Sequence, residues 1–96
     1  MKRDLENYIG VFDSGVGGIS VLKELTRRLP EENFYFIGDS AHAPYGQKSI
    51  KEVQDRTIEM INKLVLRGVK AVVIACNTAT SAAIDLLRNV YPEIPI

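Results

Sequence analysis

Apolar positions along the chain fall into two alternating patterns: short continuous runs, and longer stretches with helical spacing. Tyr8-Ile9-Gly10-Val11-Phe12, Phe34-Tyr35-Phe36-Ile37 and Ala71-Val72-Val73-Ile74-Ala75 are the short runs. Their β-branched and aromatic content predicts strands buried on both faces. Between the first two, Ile19, Leu22, Leu25 and Leu29 share one helical face, and Pro30 closes that helix. Ile50, Val53, Thr57, Met60, Ile61, Leu64 and Val65 repeat the spacing over a second helix. Ser49 and Glu52 form a capping box at its start, and Gly68 ends it. Ala79, Ala82, Ala83, Leu86, Leu87 and Val90 give a third helix its stripe, and Pro92 stops it. Ile94-Pro95-Ile96 reads as the opening of a fourth strand. The residues from Met1 to Asn7 are polar and are expected to stay unpacked. The order βαβαβαβ predicts an α/β fold: a three-layer open parallel sheet with helices on its faces.

Composition narrows the function classes. The chain has 96 residues, one cysteine and no tryptophan, which is one small domain or part of a larger one. Twelve Lys and Arg are balanced by twelve scattered Asp and Glu, so charge makes no case for a nucleic-acid partner. One cysteine excludes an internal disulfide framework. No apolar stretch approaches the roughly 18 residues of a spanning helix, and Met1-Lys2-Arg3-Asp4-Leu5-Glu6 has no signal-peptide core. A cytoplasmic location without membrane association is therefore expected.

Polar residues collect where the predicted strands end. Asp13-Ser14-Gly15-Val16-Gly17-Gly18 follows the first strand, and Asp39 with the loop to Tyr45 follows the second. Cys76-Asn77-Thr78 follows the third. In a parallel sheet these ends share one edge, where ligands of open α/β sheets bind. Cys76 would stand near helix N–H groups and the positive end of a helix dipole, an environment that lowers a thiol pKa. Asn77, Thr78 or Thr80 can cap that helix. The plain alternative is a small buried cysteine in a core.

Asp13 can orient or deprotonate a neighbour, bind an ammonium, or simply bond its own turn. Ser14 offers a hydroxyl to a ligand or to a cap. Tyr45 can wall a pocket while its N–H and that of Gly46 bind an anion, or it can anchor the turn by packing. His42 is a lone loop histidine. Gly15-x-Gly17 begins a dinucleotide fingerprint, and Asp39 stands where a ribose-binding acid would lie. However, the third glycine position holds Ser20, and Asp13 would set a negative charge beside the phosphates. No metal cluster is evident.

Taken together, three segments are specific: Asp13-Ser14-Gly15-x-Gly17-Gly18, Pro44-Tyr45-Gly46-x-Lys48-Ser49 and Ala75-Cys76-Asn77-Thr78-Ala79-Thr80. In this order and spacing, from Ile9 to Ile96, the chain closely resembles the N-terminal part of the glutamate racemases, members of the aspartate/glutamate racemase family. The family often has Arg where His42 stands. The resemblance implies one half of a two-domain racemase fold, with residues 1–96 as the N-terminal half. It implies cofactor-independent interconversion of L- and D-glutamate, which supplies D-glutamate for peptidoglycan. It also implies that Cys76 is one of two catalytic thiols, with Asp13 near it and helping proton transfer. Asp13, Ser14, Tyr45, Gly46, Asn77 and Thr78 would contact the substrate.

The second thiol would lie in a C-terminal half, so the chain alone is expected to be inactive, and that half is its first expected partner. A homodimer is compatible with the sequence. Three alternatives stand beside this reading: an aspartate racemase, a non-catalytic module holding a small anion or amino acid, and a nucleotide-binding domain.

Overall fold

The computed structural model describes residues 3–15 and 17–96. Met1 and Lys2 of the N-terminal segment, and Val16 of the glycine-rich turn, lie outside the described residues. The elements run β1 (Tyr8–Asp13), α1 (Ile19–Arg28), β2 (Asn33–Gly38), α2 (Ile50–Leu66), β3 (Ala71–Ile74) and α3 (Asn77–Val90), with short 3₁₀ turns at Ser40–His42 and Tyr45–Gln47. The three strands form one parallel sheet in the order β2-β1-β3. Right-handed crossovers through this order put α1 on one face and α2 with α3 on the other, which gives the expected three layers.

The two faces of β1 show why the sheet is built this way. Phe12 belongs to the main core with Val53, Ile61, Leu64 and Leu87 of α2 and α3. Gly10 faces the same layer: a Cβ there would stand 2.8 Å from a methyl of Leu64. Val11 points the other way and is fully buried. The opposite layer is thinner. None of the α1 residues is buried, and Ile19 keeps 42% of its surface exposed, because one helix lies over a sheet three strands wide.

Both ends of α2 form as the sequence dictates. The Glu52 N–H donates to Ser49 Oγ at 3.1 Å, and the Glu52 carboxylate accepts from the Ser49 N–H. At the other end Gly68 has φ of +89°, a left-handed conformation that favours glycine.

One expectation is corrected. The N-terminal segment is seated on the protein through Leu5 rather than loose, while Arg3, Asp4, Glu6 and Asn7 stay exposed. Leu5 is buried, its N–H donates to the Arg67 carbonyl, and Arg67 in turn donates to Asp4 and to the Tyr35 hydroxyl. A single apolar side chain among polar neighbours is enough to seat the turn. Residues 94–96, read as the opening of a fourth strand, lie beside β3: the Val72 N–H donates to the Pro95 carbonyl at 2.8 Å. Among the described residues no helix is long and apolar enough to cross a membrane.

Candidate active site

The carboxyl ends of the three strands meet at one edge, and the loops that leave them are interlocked. The Asp39 N–H donates to the Asp13 carbonyl, and the Ala75 N–H to the Phe12 carbonyl, so all three chains leave the sheet in register. The glycine-rich turn folds back over this edge. A Cβ on Gly18 would stand 2.8 Å from Asp13 Cβ and 2.9 Å from Ala75 Cβ, and one on Gly38 would overlap the Gly15 carbonyl oxygen. Glycine is thus required at both positions by close approach. Ala43 of the second loop lies beside Gly15.

Cys76 stands at the centre of this edge. It is itself the N-cap of α3, in extended conformation, and its Sγ accepts from the Ala79 N–H at 3.5 Å. The sequence pointed to Asn77, Thr78 or Thr80 as the cap. The helix instead begins one residue earlier, because β3 delivers Cys76 in the extended backbone that a capping residue adopts. Thr80 then donates its hydroxyl to the Cys76 carbonyl at 2.9 Å, while Asn77 and Thr78 stay exposed on the first turn. They line a groove of about 410 Å³ together with Lys48, Val53 and Ser81.

The thiol is nearly covered, at 9% exposure. Its surroundings are nevertheless not those of an inert core cysteine. The sulfur lies 3.5 Å from Ser14 Oγ, a residue 62 positions earlier in the chain. Ser14 and Cys76 are therefore brought together, as the converging strand ends predict. Asp13 is buried beside them, and its Oδ2 accepts from the Gly15 N–H at 3.0 Å. It holds its own turn, while the side chain hydrogen-bonded to the sulfur is Ser14.

Tyr45 is placed differently from the pocket wall considered above. Its ring is 1% exposed, tilted against Phe12 at a centroid distance of 6.2 Å. Its hydroxyl donates to Asp39 Oδ2 at 2.6 Å. A large aromatic ring gains more from burial than from edging a polar site, provided its hydroxyl finds an acceptor. The Tyr45–Gln47 turn rests on α3, and Gly46 is open to solvent. Backbone groups, not the Tyr45 ring, are what this turn can offer a ligand.

Asp39 is the hub of a network that the sequence did not reveal. Its carboxylate accepts from Arg56 Nε at 2.8 Å and Nη2 at 3.0 Å, from Tyr45, and it meets His42 Nδ1 at 2.9 Å. All of its accepting positions are thus engaged, which removes it as a ribose-binding acid and with it the main support for a nucleotide site. Arg56 sits three positions after Val53 and one before Thr57, on the flank of the apolar stripe of α2. A charged residue so close to a buried face was the available signal. Among the described residues no cluster of three His, Cys, Asp or Glu side chains is placed to hold a metal ion.

Burial acts to raise the Asp39 pKa, but hydrogen bonds from Arg56, Tyr45 and His42 outweigh it and hold the carboxyl well below the usual range. Burial, followed by the adjacent Asp39 carboxylate, pushes the Tyr45 phenol upward. Because the folded-state pKa of Asp39 is depressed, its stabilisation is complete above the unfolded value of about 3.9 and is lost as pH falls below it. Asp39→Asn should therefore lower stability by about 2 kcal/mol at neutral pH and flatten the acid side of the stability curve. Urea unfolding from pH 7 to pH 3 checks this; a variant that loses stability on acidification as steeply as the parent would contradict it.

An open parallel α/β unit with a buried cysteine capping a helix at the strand-end edge is the class that fold and site define. Within that class the chain is similar to the glutamate racemases. The Clostridium acetobutylicum glutamate racemase is 60% identical over 90 residues, 94% of this chain and 35% of that protein. The crystal structure of the Thermus thermophilus glutamate racemase in complex with β-chloro-D-alanine matches with a TM-score of 0.84 and 48% identity, covering 94% of this chain and 34% of the other. The Francisella tularensis enzyme in complex with D-glutamate matches with a TM-score of 0.88 and 41% identity, covering 95% and 35%. No protein-family profile matches the chain. The chain spans about a third of the length of the glutamate racemases it matches.

Proposed function

We propose that residues 1–96 are the N-terminal α/β part of a cytoplasmic glutamate racemase, and that Cys76 is one of its two catalytic thiols. The observation that carries this is the Cys76 sulfur at the strand-end edge, in reach of Ser14 Oγ and the Ala79 N–H, in a chain 60% identical to a named racemase.

Racemisation requires the α-proton to leave one face of the substrate and a proton to arrive on the other. A Cys76 thiolate would take the proton from Cα. A second thiol on the opposite face would deliver its own proton to the carbanion, leaving the configuration inverted and the two sulfurs with exchanged protonation states. No electron sink is needed if fixed dipoles and donors stabilise the carbanion. The exposed first turn of α3, with Asn77 and Thr78, is suited to a substrate carboxylate. Asp13 and Ser14 are suited to the ammonium group and to the thiol, and the Tyr45 and Gly46 backbone closes the rim. The second thiol must come from outside, since the chain has one cysteine.

Incubation in deuterated water tests the reading. Residues 1–96 alone should convert L-glutamate to D-glutamate at a negligible rate. Joined to the C-terminal part of the Clostridium acetobutylicum relative, they should form α-deuterated D-glutamate, and aspartate should be a much poorer substrate. Rapid inversion by the chain alone would end the two-thiol scheme, and preference for aspartate would reassign the substrate.

A further inference from the structure

We propose that Asp39 and Arg56 are positioning residues for the candidate site: they tether the Tyr45–Gly46 turn, which rests on α3, and so govern access to Cys76 at the cap of that helix. This rests on the racemase reading only in naming what the thiol serves. The geometry is that of a latch. Asp39 stands at the carboxyl end of β2, 5% exposed, and is clamped by two nitrogens of Arg56 from α2. Its Oδ2 also receives the Tyr45 hydroxyl, so one carboxylate joins the sheet, the helix and the turn. The Tyr45 ring belongs to the same buried cluster as Cys76 and Ala79, and its turn rests on α3.

The latch must be charged and paired to hold. A buried tyrosine hydroxyl left without an acceptor is costly, and so is a buried carboxylate left without its cation. Removing either Asp39 or Arg56 therefore loosens the same turn, although the two residues come from different elements. Arg56 also donates to Glu59, and His42 meets Asp39 from the loop itself, so the pair is oriented from several sides. Cancelling the Asp39 charge has a second consequence: the rim of a site for an acidic substrate is spared an uncompensated carboxylate.

The thiol provides the readout, since its alkylation by iodoacetamide reports both access and reactivity. In the 96-residue chain, Asp39→Asn and Arg56→Gln should each speed Cys76 alkylation about tenfold, through more frequent local opening of the turn. Tyr45→Phe, which keeps the ion pair and removes only the tether, should act in the same direction. Arg56→Lys, which keeps the charge but not the fork, should fall between the parent and Arg56→Gln. Arg67→Ala, at the far end of α2, should lower the melting temperature without changing the alkylation rate.

A rate within twofold of the parent in both Asp39→Asn and Arg56→Gln would overturn the proposal. So would an equal acceleration in Arg67→Ala, which would mark the effect as general loosening. If Asp39→Asn does not fold, the ordering of Arg56→Lys between parent and Arg56→Gln decides the matter. Protection of Cys76 by excess L-glutamate is measured in parallel in residues 1–96 joined to the C-terminal part of a glutamate racemase: its absence there counts against the substrate reading and leaves the comparison of rates intact.

Discussion

Cys76→Ser, in a polypeptide that continues residues 1–96 with the C-terminal part of a glutamate racemase, is expected to lower kcat by about 10²–10⁴-fold, with KM changed far less. The substitution separates chemistry from architecture. Cys76 caps α3 through its sulfur, and serine is among the best N-cap residues, so the helix keeps its cap and Ser14 keeps a neighbour able to hydrogen-bond. What is lost is the thiol, a far stronger acid and a softer proton carrier than the alcohol that replaces it. The expected pattern is unchanged or slightly raised melting temperature with collapsed turnover in both directions. Turnover within tenfold of the parent would remove Cys76 from the proton-transfer steps.

Gly38→Ala is expected to destabilise the chain by about 3 kcal/mol and to displace the Asp13–Ser14 turn from Cys76. The methyl would overlap the carbonyl oxygen of Gly15. That obstacle is backbone, held by the Asp13 carboxylate on the Gly15 N–H and by β1 pairing, so no rotamer change relieves it. Gly10→Ala gives the contrast: its methyl would meet the end of the Leu64 side chain, which can turn aside, so a smaller loss is expected. Chemical denaturation of both variants, with Cys76 alkylation as a local probe, checks the pair. Equal losses would mean that the turn is softer than its contacts imply.

The legible part of the fold was the part governed by local pattern. The continuous runs around Val11, Phe36 and Val73 became neighbouring parallel strands, and the capping box and Gly68 bounded α2 as read. The convergence of Ser14 and Cys76 was legible too, because strand direction alone brings their loops to one edge. Local pattern failed where one residue changed the balance. Leu5 pulled a polar segment onto the protein. Tyr45 was open to two readings, wall or anchor, and nothing within its own loop could choose between them.

The sequence by itself determined the order of strands and helices, the edge at which the polar groups gather, and the identity of the thiol that stands there, since these follow from periodicity, chain punctuation and the handedness of crossovers. Only the tertiary structure decided that the sulfur is itself the helix cap, that Ser14 hydrogen-bonds to it, and that Asp39 is spent on Arg56 and Tyr45. Those outcomes depend on side-chain direction and on competition among partners 17 or 62 positions apart, and a buried donor or acceptor takes whichever partner the packed chain brings within reach.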